Sequence, residues 1–466
     1  MNTVSLALRN LLRNRRRSLM TLIAMVLGLL AVLLFGGYIR AIAYSLQSFY
    51  VVYSGHLQIQ SKGFFLYGSG NPAAYGVRDY EKIISIVKND PVLGTMVLVV
   101  TPTLQFGGIG GNFAVGASRT IFASGVVVAE QNRMLEWNDY NFKYVPKPLT
   151  LTGTAANSAV IGTGVARVLQ LCSEFAVAHC DSAPKASAPV GDPKLPEDIA
   201  TLAAGNQADG ALAKNSLRTQ IEILAANSSG APNVAAVNVV GAEFQGIKEI
   251  DDIYVGLHLS QAQKLIFGNG PAKATAIVVQ LRHTDQIPKA RARLDELFAA
   301  RLKDEPLEVL DYETLNPFYG QTMSMFGAIF GFISILIGVV VLFTIGNTMS
   351  TSVVERTVEI GTVRAMGLRR RGIQQMFLAE ALVLGVVGSL LGVAMALAFS
   401  WAINAAGLTW TPPGRADSVP LTVRVGSEHL MMAGSTLGLI VIASLSALLP
   451  AVRASRLKIV DALRHA

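Results

Sequence analysis

From Thr314 to Val354 the chain runs for 41 residues without a formal charge, and the twenty residues Phe326–Ile345 are almost wholly apolar. About twenty apolar residues are what a helix needs to cross the hydrocarbon of a bilayer, so this stretch is read as a spanning helix. At ~1.5 Å per residue the whole uncharged stretch would reach about 60 Å, twice the hydrocarbon thickness. The excess is polar at both ends, with Asn316, Tyr319, Gln321 and Ser324 before the core and Asn347, Thr348, Ser350, Thr351 and Ser352 after it. A long helix over 316–354 that projects from the membrane is the expectation.

Three further apolar runs, 19–39, 381–406 and 430–452, bring the expected spanning helices to four. Ala41-Ile42-Ala43 has the form of a signal-cleavage site, but the apolar run before it exceeds a usual signal core, which favours an uncleaved first helix. Glycines at 385, 388 and 392 have the spacing that lets membrane helices pack closely. With 51% hydrophobic and 15% charged residues the composition agrees. The net charge of +8 is a topology signal, since residues 1–18 carry +5, 355–380 carry +2 and 453–466 carry +3. Basic short segments stay cytoplasmic, which places both termini and the 355–380 segment inside and accounts for the positive charge without a nucleic-acid partner, so no nucleic acid is expected. Val4, Leu8, Leu11 and Leu12 against Arg9, Arg13 and Arg16 read as an amphipathic helix over 1–18 lying on membrane lipids.

Residues 40–315 then form an extracytoplasmic domain inserted between helices 1 and 2, and 407–429 a short outer loop. The fold class is a membrane protein of four transmembrane α-helices with a large α+β extracytoplasmic domain, expected in two subdomains. Strands are read at Val51–Gln60, Thr95–Phe106, Thr120–Val128, Thr219–Leu224, Ala235–Phe244 and Ala274–Leu281. Helices are read at Asp79–Lys88, Ser260–Phe267 and Asp285–Lys303. SAVIGTGVARVLQL, from Ser158, reads as strand, glycine turn and helix. Its Gly162-Thr163-Gly164 lacks the third glycine of a dinucleotide loop, which favours a structural turn. Residues 172–216 are rich in Ala, Ser, Pro and Asp and read as a surface insertion. Cys172 and Cys180 within it permit a disulfide closing a small loop, with two free thiols as the alternative. A zinc site on Cys172, His179 and Cys180 would lack a fourth ligand, so no metal is expected.

After the long helix, charges return in ERTVEIGTVRAMGLRRRGIQQMFLAEAL, broken by Gly361, Gly367 and Gly372. This run resembles the signature that follows the second transmembrane helix in the MacB/FtsX-like (type VII) permeases of ABC transporters. SGHLQIQSKGF and VVGAEFQGIKEIDDIYVGLHLSQAQKLI are similar to the extracytoplasmic domain of that family's lipoprotein-release (LolC/LolE-like) branch, and the terminal ALLPAVRASRLKIVDALRHA resembles the family's usual ending. The resemblance implies a coupling elbow over 355–380 that docks on an ATPase, with Glu355, Arg356, Glu359, Ile360, Gly361, Arg364, Ala365 and Gly367 fitting the pattern. It also implies two ATPase subunits, which bind ATP and Mg, and a second permease chain, identical or paralogous, in the bacterial inner membrane. A periplasmic adaptor and outer-membrane proteins are further partners that the family admits. Lipoprotein, lipid, peptide or drug clients would be moved from the periplasmic side by mechanotransmission. The alternative is an FtsX-like signalling subunit that controls a cell-wall hydrolase or sensor.

The chain contains no Gly-Lys pair, so no G-x-x-x-x-G-K-[ST] phosphate loop exists within it, and the ATPase is expected on a separate chain. Neither H-E-x-x-H nor G-x-S-x-G occurs, and no catalytic residue is nominated. Nothing ionisable sits at the centre of the four apolar runs, which argues against a proton-coupled transporter or an ion channel.

Overall fold

The computed structural model describes residues 15–113, 115–142, 146–178, 219–303, 305–410 and 418–457. Most of the amphipathic segment 1–18, nearly all of the 172–216 insertion including Cys180, and the tail beyond 457 lie outside the described residues. The chain forms two compact units, one of residues up to Ser45, Gly320–Trp410 and from Val419, the other of Leu46–Tyr319 with Thr411–Ser418.

The membrane unit is built on four helices, each long and apolar enough to cross a bilayer. They are α1 (Arg15–Ser54) and, after the α/β unit, three that are labelled below in chain order. Lipid gives no hydrophobic drive for helices to associate, so close packing and interhelical hydrogen bonds hold such a bundle. The glycines supply that packing. A Cβ at Gly385 would meet Ala443 and Ile440 at 3.2–3.3 Å, one at Gly388 would meet Met25 at 3.2 Å, and one at Gly392 would meet Leu29 at 2.9 Å. Met25, Leu29, Leu33, Val341, Phe377 and Ala443 belong to the buried apolar cluster of this bundle. The Thr21 hydroxyl donates to that of Thr348 at 3.1 Å.

The first helix runs to Ser54, through the start of the expected Val51–Gln60 strand. Val51, Val52 and Tyr53 have the side chains of a strand, but the helix is already propagating and ends only where Gly55 adopts φ 71°. A Cβ there would strike Val278 at 2.5 Å, so the turn needs glycine for space as well as for its φ.

The α/β unit follows as β1 (Leu57–Ser61), α2 (Tyr80–Asn89), β2 (Val97–Asn112), β3 (Ala117–Val126), α3 (Val128–Leu135), β4 (Ser158–Gly162) and α4 (Thr163–Val168). It continues as β5 (Gln220–Ala226), β6 (Pro232–Glu243), β7 (Tyr254–His258), α5 (Leu259–Phe267), β8 (Ala276–Leu281), α6 (Ile287–Arg301) and β9 (Leu307–Asp311). The long strand β2 is used twice. Its first part pairs with β8, Thr101 opposite Val278, and its second with β3 and β5, Leu104 opposite Gly125 and Ile109 opposite Leu224. Since β3 connects through β7, β4 and β6 back to β5, six strands close on themselves. Along β5 burial alternates strictly, turning Ile221, Ile223 and Ala225 into the ring's apolar cluster with Leu104, Phe106 and Ile161. A second cluster sets Leu57, Ile59 and Val279 of the remaining strands against Ile83 and Val87 of α2 and Leu294 and Leu297 of α6. Both clusters therefore rest on one sheet.

The chain then enters α7 (Pro317–Glu355), α8 (Thr357–Ala365), α9 (Arg370–Ala406), the two-residue strands β10 (Thr409–Trp410) and β11 (Val419–Pro420), and α10 (His429–Arg456). The third spanning helix thus starts at Arg370, ahead of the apolar run from Ala381. Seen from sequence, the segment up to Glu380 joined the elbow because it carries charge, whereas Ile373 and Phe377 already face the bundle core.

Candidate functional site

The elbow is made by three local events. α7 ends at Glu355, and Arg356 at φ −104° and ψ 15° breaks the helical course before α8. α8 ends in a Schellman turn, in which the Gly367 N–H donates to the Arg364 carbonyl at 3.0 Å and the Leu368 N–H to the Val363 carbonyl at 3.2 Å. Gly367 supports this with φ 102°, and no atom lies near where a Cβ would stand. Extended backbone at Arg369 then starts α9.

The eight residues nominated from sequence separate into two faces. Arg356, Ile360 and Gly361 are buried, at the i, i+4 and i+5 positions that share one side of a helix. Arg364 is half-buried and donates to the carbonyl of Leu457, just past α10. Glu355, Glu359 and Ala365 are exposed, as are Gly367 and its neighbours Met366 and Leu368. Arg369, Arg370 and Arg371 are exposed beside them. So four of the eight fix the elbow to the bundle, three stand outward, two of them acids that share the exposed surface with Arg369, Arg370 and Arg371, and Gly367 makes the turn. Cys172 opens a short helix, Cys172–Phe175, in the α/β unit, and its pairing with Cys180 lies outside the described residues.

One residue of the site had no role in the sequence reading. The Glu380 side chain is 4% exposed, and its Oε1 accepts from Arg356 Nη1 at 2.9 Å. The signal was present: Glu380 is a lone acid in the run Met376–Leu384, and a charge amid apolar membrane-helix residues needs a partner. Glu359 Oε2 stands 3.8 Å from Arg356 Nε. Nearby, Gln374 Nε2 donates to Ser455 Oγ at 3.2 Å, a polar tie between α9 and α10.

Two places in the α/β unit invite a chemical reading and have a structural one. The Gly162-Thr163-Gly164 turn does present backbone N–H groups to an anion, but the anion is Asp251. Its carboxylate accepts from Thr163 N and Gly164 N, each at 2.8 Å, and from Thr163 Oγ1 at 2.5 Å. A Cβ at Gly162 would lie 2.0 Å from the Asp251 carbonyl oxygen and one at Gly164 2.0 Å from Asp252 Oδ1, so both glycines serve close packing. No room is left for a phosphate.

The second place is His56, fully buried, with its ring edge-on to Trp137 at 5.0 Å. The Leu281 N–H donates to its Nδ1 at 3.0 Å, which requires that nitrogen to be unprotonated. Burial pushes its pKa down to about 3, against the opposing charge of Asp139. It stays neutral at ordinary pH and serves as a bracket to the backbone at Leu281. Among the described residues no group of three or more His, Cys, Asp or Glu side chains is placed to hold a metal.

A match to a family model falls on the helices of the membrane unit. Residues 329–459 match the family model for the C-terminal domain of FtsX-like permeases, covering most of α7 and all of α8, α9 and α10. The chain is 33% identical over 199 residues to the macrolide export ATP-binding/permease protein MacB of Bdellovibrio bacteriovorus, covering 41% of this chain and 28% of that protein. It is 30% identical over 197 residues to the protein of the same name from Hyphomonas neptunium, covering 42% and 28%. An uncharacterized ABC transporter permease of Methanocaldococcus jannaschii is 32% identical over 133 residues, covering 28% of this chain and 35% of the relative. The chain spans little more than a quarter of the length of the two MacB relatives, whose names join ATP binding to permease.

Proposed function

We propose, because this chain belongs to the MacB/FtsX-like family of ABC transporter permeases, that it is a non-catalytic permease subunit driven by an ATPase on another polypeptide. The sequence holds no phosphate-binding loop of its own, so ATP and Mg are assigned to that partner. Two permease chains, identical or paralogous, would pair with two ATPases in the bacterial inner membrane, with both termini and α8 in the cytoplasm. The division of α8 into a face tied to the bundle and a charged outward face carries the reading. The outward face receives the ATPase, and the ties through Ile360, Arg356 and Arg364 pass its displacement to α7, α9 and the end of α10. The α/β unit then moves a lipoprotein, lipid, peptide or drug client by mechanotransmission, with no passage through the bilayer.

The test is a mild-detergent pull-down of the tagged chain from its native membrane, with mass spectrometry and an ATPase assay of the eluate. One P-loop ATPase per permease is expected, lost on reversal of the exposed charge by Glu359→Arg. If no ATPase is recovered even after crosslinking, the proposal fails.

A further inference from the structure

Arg356 is under-satisfied for a buried cation. A guanidinium carries five N–H donors, and here only Nη1 is engaged at hydrogen-bonding distance, by Glu380. Nε and Nη2 are buried with no hydrogen-bond partner among the described residues. At 3.8 Å, Glu359 Oε2 is within electrostatic reach of Nε but beyond a hydrogen bond. Buried donors left unfilled are costly and uncommon, and one beside an exposed carboxylate has an acceptor close at hand.

The positions of the two acids decide what that acceptor does. Glu380 is buried on α9, so its hold on Arg356 does not depend on what covers α8. The Glu359 side chain is 52% exposed, so its attraction to Arg356 is weakened by water. Any partner that covers the outward face of α8 removes that water and strengthens the attraction. The guanidinium has donors to spare, so it can gain Glu359 and keep Glu380.

We propose that Glu380 is a positioning residue for the elbow. It holds Arg356 with Nε free to receive Glu359 when the ATPase docks, and the completed Glu359–Arg356–Glu380 bridge locks α8 to α9 as one lever. This rests on the ATPase-driven reading above and supplies its regulation: docking adds Glu359 to the joint that Arg356 and Glu380 already make.

Full-length chain in nanodiscs, with and without its co-purified ATPase, tests this by hydrogen exchange of the α8 amides, Thr357–Ala365. In the wild type, docking is expected to slow their exchange by about tenfold beyond any change in α10. Glu380→Gln retains the ATPase at wild-type stoichiometry, loses that protection and uncouples hydrolysis from transport, whereas Glu380→Asp restores both. Should Glu380→Gln fail to insert, Arg356→Lys carries the test. It keeps a cation for Glu380 and lacks the second arm of the fork, so it should dock the ATPase without the added protection. Wild-type protection and coupling in Glu380→Gln or Arg356→Lys would overturn the bridge and leave the pair as packing. Failure of the wild type itself to bind an ATPase would instead remove the functional reading beneath it.

Discussion

Arg293 and Arg356 each meet a buried carboxylate, Asp90 in the α/β unit and Glu380 in the membrane unit, at 2.8 and 2.9 Å. Around Asp90 every demand is met. Arg293 donates to it through both Nε and Nη2, and the backbone N–H groups of Val92 and Leu93 add bonds of 3.0 and 2.9 Å. The remaining arm of Arg293 reaches Glu296 at 2.9 Å, and the arginine is partly in water. Among the described residues the buried Arg356 side chain makes a single hydrogen bond, and two of its nitrogens find no hydrogen-bond partner. The first pair ties α6 to the residue that follows α2 and has nothing left to gain. The second can gain a partner, as expected where an element must exchange between two arrangements.

Breaking each pair separates these roles, and the largest loss is expected in the membrane unit. Glu380→Leu strands a buried guanidinium and should lower stability by about 3–5 kcal/mol, read as a fall in melting temperature in detergent. Next comes a pH effect in the α/β unit. His56 is neutral when folded, with its pKa near 3 against the ordinary 6.5, so unfolded chains take up a proton first as pH falls. Stability should therefore drop below pH 6.5 by about 1.4 kcal/mol per unit until pH nears 3, and His56→Gln should flatten that slope in a denaturant series.

The Asp90 pair should respond lower on the scale. The hydrogen bonds from Arg293, assisted by Val92 and Leu93, hold its carboxyl near 2 despite burial. Its contribution, about 2 kcal/mol, is present above pH 4 and lost as pH falls towards 2, and Asp90→Asn should remove that acid-side transition. The smallest effect is Gly367→Ala, about 1 kcal/mol, from a positive φ in an otherwise open site. If it abolished coupling with so little loss of stability, the turn's angle would itself be part of the elbow's action.

What sequence reveals here follows the range of the forces involved. The membrane helices are legible because hydrocarbon imposes a length and composition on each segment alone. The elbow's turn is legible through Gly367, since positive φ is a local demand. Glu380 was passed over because its role depends on Arg356, 24 positions earlier. Asp251 was equally hidden: filling the turn at Thr163 is a contact across 88 residues. The error at Val51–Tyr53 has the same origin, for β-branched and aromatic side chains suit a strand but stay helical when a long helix is already under way. Tyr254–His258 went unread as a strand because its place between β3 and β4 is fixed by those neighbours.

The placement of β1 sets a timetable for the chain's birth. Leu57–Ser61 is among the first parts of the α/β unit to leave the ribosome, yet its two neighbours are β8 and β9, with Leu57 opposite Val279 and Asp311. Both edges of that strand must wait through more than 200 further residues of synthesis. Meanwhile Leu57 and Ile59, which end fully buried, have no partners to cover them. Nascent chains halted before residue 276 should therefore aggregate or bind holdase chaperones, and this becomes avoidable only once β9 has emerged.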